Sequence, residues 1–535
     1  MPLATDPTLL AETATRRTFA IISHPDAGKT TLTEKFLLYA GAVREAGAVQ
    51  SRKRSRTAVS DWMALERQRG ISVSSTVLHF AYGPWRFNLL DTPGHADFSE
   101  DTYRTLCAAD AAVMVLDLAK GIEPQTLKLF RVCRDRGLPI VTFVNKCDRP
   151  GRPPLELLDE IEEQIGLQPT PVTWPVADGA DFAGIVDRRT AELVRFDRTV
   201  HGATVGAEHR EAMATADRGA TPADRWEAAT EELALLDALG LDCDREAFLA
   251  GTQTPVFFGS ALANFGVRLL LEGFARMAPP PGPRPDATGT DRDLAAPFSA
   301  FVFKVQANMD PRHRDRIAFM RVCSGQFERG MAARNARTGR SHTLKYSHTL
   351  FASDRQTVDS AVPGDIVGVV NATELAIGDT LHSGAEVTFP PIPTFAPEHF
   401  ATVRNADLGR AKRFRAGIAQ LDEEGVVQVL RRPEFGDQEP IFGAVGPLQF
   451  EVAAHRMATE FGCPVTLAPT SHRMARIVNS ACADALRSQR GCTVTFDRHG
   501  TCMVLFASYH AVRWASEDHP EVTFLEPGMG TAPTT

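Results

Sequence analysis

The sequence has 535 residues, of which 43% are hydrophobic and 8% are aromatic; this excludes an intrinsically disordered chain and, at ~150 residues per domain, predicts roughly three or four domains. Its 58 Lys and Arg residues against 66 Asp and Glu residues give a net charge of −8, which argues against a protein that coats nucleic acid and leaves only a local basic patch for such a contact. The nine cysteines form no Cys-X-X-Cys pair, so neither a zinc ribbon nor a disulfide framework is indicated.

Short apolar or β-branched runs alternate with helical stretches in the first 285 residues. The predicted strands cover residues 19–22, 87–90, 111–116, 139–144 and 255–258. This alternation is typical of an α/β domain with a doubly wound, mostly parallel sheet. The Ala- and Glu-rich stretch at 205–250 is predicted to be a mostly helical insertion between two core strands.

Two proline clusters, at 279–285 and 390–397, mark the predicted domain boundaries, because such proline density disfavours helix and sheet interiors. The first domain is therefore assigned to residues 1–285. Residues 296–388 contain short alternating runs separated by Gly and Asp, which predict a β-barrel domain with strands near 298–305, 317–322 and 365–370. Residues 394–535 return to mixed elements and predict a C-terminal α/β domain with a helix at 448–461.

No apolar run approaches the ~20 residues that a membrane helix needs, and the N-terminal stretch MPLATDPTLLAETATRR has no basic-then-apolar signal pattern. We therefore expect a protein that is not exported and has no membrane contact. The cysteine pattern fits the reducing cytoplasm, and the protein is expected to be a monomer.

A phosphate-binding P-loop is predicted between the strand at 19–22 and a helix at 31–39. In this arrangement backbone N–H groups surround the β-phosphate at the helix N-terminus, Lys29 reaches the β- and γ-phosphates, and the Thr30 hydroxyl ligates Mg²⁺. Ser23 stands where the strict pattern has glycine, and an ordinary strand-to-helix turn would explain the motif if it stood alone. The candidate nucleotide-binding residues of this loop are Ser23, His24, Pro25, Asp26, Ala27, Gly28, Lys29 and Thr30.

The second motif, DTPGH, directly follows the predicted strand at 87–90. It places Asp91 at the carboxyl edge of the sheet, where a partner of Mg²⁺ belongs. We expect the Gly94 N–H to touch the γ-phosphate and His95, the candidate catalytic residue, to orient a water toward it. A surface histidine in a turn is the alternative. The candidate nucleotide-binding residues here are Asp91, Thr92, Pro93, Gly94 and His95.

The third and fourth motifs follow the strands at 139–144 and 255–258. Asp148 can accept hydrogen bonds from the N1–H and exocyclic amine of guanine, which adenine does not offer, so this element is expected to select GTP over ATP. Asn145 is expected to brace the loops and Lys146 to lie along the base, although a charged loop would have the same composition. The backbone N–H groups of the Ser-Ala pair are expected to meet guanine O6. The candidates are Asn145, Lys146, Cys147, Asp148, Ser260 and Ala261.

The polar segment at 41–73 is predicted to be a mobile switch in which Ser72 contributes a third metal ligand beside Thr30 and Asp91. Its basic cluster, for which a solvated loop is the alternative, is Arg52, Lys53, Arg54 and Arg56. All four motifs occur in the order that one guanine-nucleotide site requires, and each follows a predicted strand, so chance coincidence is improbable.

These residues resemble the translational GTPases, which typically show DAGKT, RGI with a hydroxyl residue, DTPGH, NKxD and SA. The matches lie at 26–30, 69–72, 91–95, 145–148 and 260–261. Longer stretches at 60–73, 89–106 and 442–452 are similar to the class II release factors, a family related to elongation factor G. The resemblance covers all three predicted domains, and it departs from the pattern at Ser23 and at Ser72, where threonine is common.

The resemblance implies a P-loop GTPase that uses GTP, GDP and Mg²⁺ in translation termination. It implies binding to ribosomal RNA and ribosomal proteins, and dissociation of codon-reading peptide chain release factors after peptide release, with GTP hydrolysis driving the factor's own departure. Pro25 and Ile71 fall at an apolar gate beside His95, so hydrolysis is expected to be slow until the ribosome stimulates it. One alternative is a translocase-like or ribosome-protection GTPase. Another is a GTP-dependent scaffold that does not hydrolyse GTP, and the presence of His95 argues against this second alternative.

A local excess of positive charge lies at residues 401–432, which contain seven Lys or Arg residues and four Asp or Glu residues and so have a net charge of +3. This stretch is a candidate contact with RNA or ribosomal protein, and an ordinary solvated face is the alternative. The basic residues are Arg404, Arg410, Lys412, Arg413, Arg415, Arg431 and Arg432.

Overall fold

The computed structural model describes residues 7–42, 72–197, 204–307, 316–345, 347–351, 354–370 and 373–527. Most of the predicted switch at 41–73, with its basic cluster and Arg69 to Ile71, therefore lies outside the described residues. None of the helices in the described ranges is long and apolar enough to cross a membrane.

The first part of the chain forms a seven-stranded sheet with the order β2-β3-β1-β4-β5-β11-β6. Every neighbouring pair is parallel except β2 with β3. All five predicted strands are present, and the sequence prediction missed the two edge strands, β2 and β6. The strands are β1 (Arg16–Ser23), β2 (Thr76–Tyr82), β3 (Trp85–Asp91), β4 (Ala111–Asp117), β5 (Ile140–Asn145), β6 (Gln168–Pro171) and β11 (Gln253–Phe258).

Helices cover both faces of this sheet, as expected for a doubly wound arrangement. In β1, Ala20 and Ile22 belong to one apolar cluster, whereas Phe19 and Ile21 belong to another. Because successive side chains of a strand point to opposite faces, one strand supplies both cores. The helices of this part are α1 (Pro7–Ala14), α2 (Lys29–Tyr39), α3 (Ser99–Leu106), α4 (Pro124–Asp135), α5 (Pro154–Ile165), α6 (Ala223–Ala238), α7 (Arg245–Leu249) and α8 (Val267–Met277).

A second, antiparallel sheet lies between β5 and β11 in the chain, with the order β10-β9-β8-β7. Within residues 205–250 the structure has α6 and α7 as predicted, and it also has the strand β10. The sequence of β10, EHREA, lacks apolar alternation, which is why the prediction of a mostly helical insertion missed it. The strands are β7 (Thr173–Val176), β8 (Gly184–Asp187), β9 (Glu192–Phe196) and β10 (Glu208–Ala212).

The middle of the chain is an antiparallel β domain, as the sequence predicts. Its main sheet has the order β18-β17-β23-β14-β15-β22-β19-β20 and packs around one apolar core that includes Val302, Met320 and Val367. The strands are β12 (Arg284–Pro285), β13 (Asp291–Arg292), β14 (Ser299–Ala307), β15 (Arg316–Ser324), β16 (Phe327–Glu328), β17 (Ala332–Asn335), β18 (Ser341–Thr343), β19 (Ser347–Phe351), β20 (Asp354–Thr357), β21 (Ser360–Ala361), β22 (Ile366–Val370) and β23 (Thr380–His382).

The C-terminal part has two small antiparallel sheets, ordered β25-β26-β24-β27 and β28-β30-β29, and each packs with helices. The predicted helix at 448–461 is present as α10. The strands are β24 (His399–Asn405), β25 (Gln428–Leu430), β26 (Ile441–Ala444), β27 (Val465–Pro469), β28 (Met474–Val478), β29 (Cys492–Phe496) and β30 (Cys502–Phe506). The helices are α9 (Ala411–Glu423), α10 (Leu448–Thr459), α11 (Ala483–Leu486) and α12 (Tyr509–Asp518).

Buried arginines join the three parts of the chain. Arg321 on β15 is 1% exposed, and its Nη2 donates to both carboxylate oxygens of Asp110 at 2.7 and 2.8 Å. Arg104 on α3 donates to the carbonyl oxygens of Glu424 and Gly425, each at 3.2 Å. A buried charge that loses its partner is strongly destabilising, so these contacts fix how the domains pack against each other.

The Arg321–Asp110 pair gives a stability prediction. Replacing Arg321 by Met (R321M) removes the closer of two arginine partners of Asp110 and leaves Arg284 Nη2, 3.5 Å from Asp110 Oδ1, as the remaining one. We therefore expect the unfolding free energy to fall by about 1–3 kcal/mol, the cost of buried hydrogen-bonding groups that lose a partner. Arg329→Met breaks an exposed pair with Asp359, in which the side chains are 49% and 77% exposed, and serves as the matched control. Urea denaturation of both variants measures the difference, and equal stabilities would contradict the assignment.

Candidate functional site

The loop from β1 to α2 has the backbone shape of a phosphate-binding loop. Gly28 has φ +99° and Asp26 has φ +66°, both in the left-handed region. A Cβ at Gly28 would overlap the Asn145 carboxamide, so only glycine fits there. Ser23, in place of the usual first glycine, is the last residue of β1 and is not among the described residues with positive φ, and its Oγ donates to the His24 carbonyl oxygen at 2.9 Å. Serine therefore fits the first position without backbone strain.

A cavity of about 430 Å³ opens beside this loop, at the carboxyl ends of the parallel strands. Its volume falls in the range of small-molecule sites, and its place at the sheet edge is the usual one for ligands of open α/β sheets. The lining residues are Ser23, His24, Pro25, Asp26, Gly28, Lys29, Thr30, Thr31, Ser72, Gly94, His95, Asn145, Lys146, Asp148, Arg149 and Leu262.

Most of the predicted site residues thus share one cavity, and the others lie behind its wall. Of the residues that the sequence did not single out, Thr31, Arg149 and Leu262 also line it. The predicted residues that do not line it are Ala27, Asp91, Thr92, Pro93, Cys147, Ser260 and Ala261, all of them buried.

An ion pair between Lys29 Nζ and Asp91 Oδ1 links the P-loop to the end of β3, and both side chains are almost completely buried. The second carboxylate oxygen, Asp91 Oδ2, is buried and has no hydrogen-bond partner among the described residues. The Thr92 hydroxyl donates to the Ile21 carbonyl oxygen at 2.6 Å and holds the two strand ends together. The unused oxygen of Asp91 is suited to a cation or to an ordered water, because buried acceptors rarely stay unpaired.

His95 follows Gly94 at the rim of the cavity, and its side chain is 34% exposed. Its Nδ1 lies 3.2 Å from Asp97 Oδ1, and its ring packs edge-on against Phe98 with ring centroids 6.2 Å apart. Gly94 is close to the P-loop, because a Cβ there would lie 3.5 Å from the Pro25 nitrogen. The two residues therefore face the same space as the phosphate-binding loop.

Asn145 holds three loops together through one carboxamide. Its Nδ2 donates to the Ala27 carbonyl oxygen at 2.7 Å, while its Oδ1 accepts the N–H groups of Lys146 and Ala261 at 2.9 and 2.8 Å. The shape of the cavity depends on these bonds, since they set the distance between the P-loop and the loops after β5 and β11.

Lys146 has φ +72°, and its ammonium donates to Asp117 Oδ2 at 2.7 Å. Burial opposes ionisation of Asp117, but the hydrogen bond from Lys146 holds the pKa of this carboxyl below its usual range. The sequence reasoning missed Asp117, although its position at the carboxyl end of β4 was a usable signal. Cys147 is fully buried, and burial raises the pKa of its thiol to about 12, so it is a packing residue.

Asp148 lines the cavity, and its buried Oδ1 has no hydrogen-bond partner among the described residues. An unpaired carboxylate oxygen in this position favours a ligand that donates hydrogen bonds. Asp148 is thus suited to the guanine edge, as its place in the sequence predicts.

The Ser260–Ala261 pair differs from the expectation. The Ser260 N–H donates to the Phe265 carbonyl oxygen at 2.9 Å, and the Ala261 N–H donates to Asn145. Both N–H groups are therefore engaged within the protein and do not serve as donors to guanine O6 here. The sequence pattern could not reveal this, because Phe265 and Asn145 compete for the same donors. The two residues hold the loop that carries Leu262 to the cavity.

Comparison with known proteins gives three family matches. Residues 14–280 match the elongation factor Tu GTP binding domain, residues 297–384 match elongation factor G domain 2, and residues 389–516 match the C-terminal domain of the class II release factor RF3. Together these matches extend over most of the chain.

Two relatives illustrate the similarity of whole chains. The chain is 50% identical over 529 residues to peptide chain release factor 3 of Gloeobacter violaceus, covering 97% of this chain and 99% of that protein. It is also 50% identical over 518 residues to peptide chain release factor 3 of Symbiobacterium thermophilum, covering 95% and 97%. A crystal structure of a Thermus thermophilus protein has a similar fold, with a TM-score of 0.69 and 23% identity over 91% of this chain and 72% of that one.

Asp148 Oδ1, which has no hydrogen-bond partner within the described ranges, gives a prediction about base selection. Asp148→Asn exchanges one acceptor for a donor, so we expect guanine-nucleotide affinity to fall by about 10- to 100-fold, from ~1.5–3 kcal/mol per charged hydrogen bond. Xanthine nucleotides, which carry a carbonyl where guanine has its amine, should bind better than to the original protein. Competition binding measures both effects.

Asp181→Asn, an exposed carboxylate in the same part of the chain, is the control for this substitution and should change neither affinity. An unchanged preference for GTP in Asp148→Asn would contradict the role of Asp148.

Proposed function

Since this chain belongs to the peptide chain release factor 3 family of translation termination GTPases, we propose that it engages the ribosome after peptide release and promotes the dissociation of codon-reading release factors. Hydrolysis of GTP then drives the departure of this protein from the ribosome. The observation that carries this proposal is the near-full-length similarity to release factor 3, together with a cavity in which the P-loop, His95 and Asp148 meet.

GTP occupies the cavity at the carboxyl edge of the sheet in this proposal. The guanine base lies against Asp148, whose buried Oδ1 lacks a partner among the described residues, and the phosphates lie against the loop from Ser23 to Thr30. Adenine would leave the Asp148 carboxylate unpaired, and polar sites reject such misfits strongly. This is the physical basis for the use of GTP over ATP.

Thr30, Ser72 and Asp91 are the proposed residues for holding Mg²⁺. Thr30 and Ser72 line the cavity with hydroxyl groups, and Asp91 Oδ2, which has no hydrogen-bond partner in the described part of the chain, lies behind it. Hydroxyl and carboxylate oxygens are the ligand types that Mg²⁺ takes. When bound, the ion supplies positive charge that neutralises the phosphate oxygens. Lys29, which pairs with Asp91 in the structure, contributes a second positive charge to the same region.

His95 is the proposed catalytic residue because it lines the cavity near Gly94 and Pro25. Its imidazole orients a water for attack on the terminal phosphate. Intrinsic hydrolysis is slow, and the ribosome stimulates it by bringing His95 into line. Ile71, the other half of the expected apolar gate, lies outside the described residues.

The ribosomal contact is proposed to include three residues of helix α9. Arg404, Arg410, Arg431 and Arg432 of the basic stretch at 401–432 each pair with a nearby acid. Lys412, Arg413 and Arg415 are exposed, and none of them has an ion pair with another described residue. Their charges are therefore available to RNA phosphates or acidic ribosomal protein, in the cytoplasm and with the factor as a monomer.

The second candidate is a translocase-like or ribosome-protection GTPase, which the match of 297–384 to elongation factor G domain 2 allows. The match of 389–516 to the RF3 C-terminal domain favours the termination factor. An assay of translocation without peptide release distinguishes the two.

The proposal predicts how GTP hydrolysis responds to ribosomes and to His95. Ribosomes that carry a codon-reading release factor should accelerate phosphate release from GTP by the original protein. His95→Ala should lower this stimulated rate by ~10²-fold or more, as expected for loss of a positioned acid–base group, and should change the Kd for GTP much less than the rate.

His209→Ala replaces an exposed histidine of the same part of the chain and is the control for His95→Ala. Stimulated phosphate release that survives His95→Ala at the original rate would refute the catalytic role of His95. Absence of any ribosome stimulation in the original protein would refute the proposed function itself.

A further inference from the structure

Asp97 lies two residues after His95 and contacts its imidazole with both its backbone and its side chain. The Asp97 N–H donates to His95 Nδ1 at 3.3 Å, and Asp97 Oδ1 lies 3.2 Å from the same nitrogen. These two contacts are alternatives, because Nδ1 either accepts the Asp97 N–H or, when it carries a proton, donates to Asp97 Oδ1. In both cases Nδ1 is engaged by Asp97, which leaves Nε2 as the nitrogen for other partners. In catalytic sites a third group commonly orients the base in this way.

The other oxygen of Asp97 binds the C-terminal domain. Asp97 Oδ2 accepts the N–H of Leu448 at 2.7 Å, across 351 positions of sequence. Leu448 begins the twelve-residue helix α10, whose first N–H groups have no partner within the helix and attract negative charge. The residue is only 9% exposed, so solvent contributes little to its pairing.

The chain before helix α10 is tightly fitted to Asp97. A Cβ at the buried Gly446 would overlap the Asp97 carboxylate. Gln449 Oε1 fixes this turn by accepting the N–H groups of Val445 and Gly446 at 2.8 and 3.2 Å. The turn at residues 445–446 of the C-terminal domain is therefore held by its own hydrogen bonds in a shape that fits the Asp97 carboxylate.

Apolar side chains also pack between the loop after β3 and the C-terminal domain. Val73, Phe98 and Val452 form one buried cluster, against which Val426 and Leu448 pack. Phe98 is the residue that packs edge-on against the His95 ring. A shift of helix α10 would consequently move both neighbours of His95, Asp97 and Phe98.

We propose that Asp97 is a positioning residue for His95 and that its orientation is set by the turn and helix N-terminus at 446–448 of the C-terminal domain. Movement of that domain then changes the placement of the His95 imidazole, which makes hydrolysis responsive to how the domain is held on the ribosome. The inference rests on the proposed function, since it assumes that His95 acts on GTP.

The first test removes the Asp97 side chain in the full-length protein. Asp97→Ala should lower kcat for ribosome-stimulated GTP hydrolysis by about 10- to 100-fold, the effect of misplacing a catalytic group, with the Kd for GTP unchanged. Asp97→Asn keeps an oxygen that accepts the Leu448 N–H and should recover most of kcat. Equal losses in the two variants, or no loss in either, would overturn the positioning role.

The second test acts from the C-terminal domain. Gly446→Ala displaces the Asp97 carboxylate without changing any residue near the cavity, and Gly282→Ala, which places its Cβ in open space, is the matched control. We expect Gly446→Ala to reproduce the kcat loss of Asp97→Ala, Gly282→Ala to behave as the original protein, and the Asp97→Ala/Gly446→Ala double variant to lose no more than either single one.

Multiplying losses in the double variant, or full kcat in Gly446→Ala, would overturn the link to the C-terminal domain. Melting temperatures and Kd values for GTP verify that each variant is folded. If the original protein shows no ribosome-stimulated hydrolysis, the proposed function fails first, and this result is distinct from a normal original protein with unaffected variants.

Discussion

The buried carboxylate of Asp97 must keep its hydrogen-bond donors, and this requirement links the nucleotide cavity to the C-terminal domain. One of its oxygens lies beside the imidazole of His95, and the other accepts the first N–H of a helix 351 positions later. A buried charge cannot lose such partners cheaply. The loop after β3 and the C-terminal domain are therefore expected to move together.

Residues 91–106, which follow β3 and include helix α3, make further contacts with the β domain and with the C-terminal domain. The first of them, Asp91, pairs with Lys29 of the P-loop, and the helix holds the C-terminal domain through Arg104. Asp101 accepts the Ser75 N–H at 2.5 Å and lies 3.6 Å from Lys304 of the β domain. Burial acts against ionisation of Asp101, but Lys304 and Arg104 hold the pKa of this carboxyl below its usual range. Charged and hydrogen-bonded side chains thus join residues 91–106 to both of the other domains.

Sequence patterns were sufficient for the parts of the fold and site that depend on local order. The five central strands are continuous apolar runs because both of their faces are buried, and the four motifs follow strands whose carboxyl ends share one edge. The edge strand Gln168–Pro171 was missed because its two prolines are atypical of a strand and are tolerated only at an edge.

Contacts between residues distant in sequence were beyond the reach of those patterns. Nothing in the sequence places Asp97 beside Leu448. The hydrogen bond from the Ala261 N–H to Asn145 Oδ1 could not be predicted either. Every residue except proline has a backbone N–H, so the sequence does not indicate which acceptor a particular N–H will meet. Of these contacts, the hydrogen bond between Asp97 and Leu448 is the one that connects the cavity to the C-terminal domain.

Hydrogen–deuterium exchange of the full chain, with GDP and with a non-hydrolysable GTP analogue, tests this connection most directly. The account predicts that exchange in peptides covering 91–106 and 441–452 changes together when the nucleotide changes, because Asp97 joins them. A change confined to peptides covering 23–30 and 145–148, with identical exchange at 441–452 in both states, would contradict it.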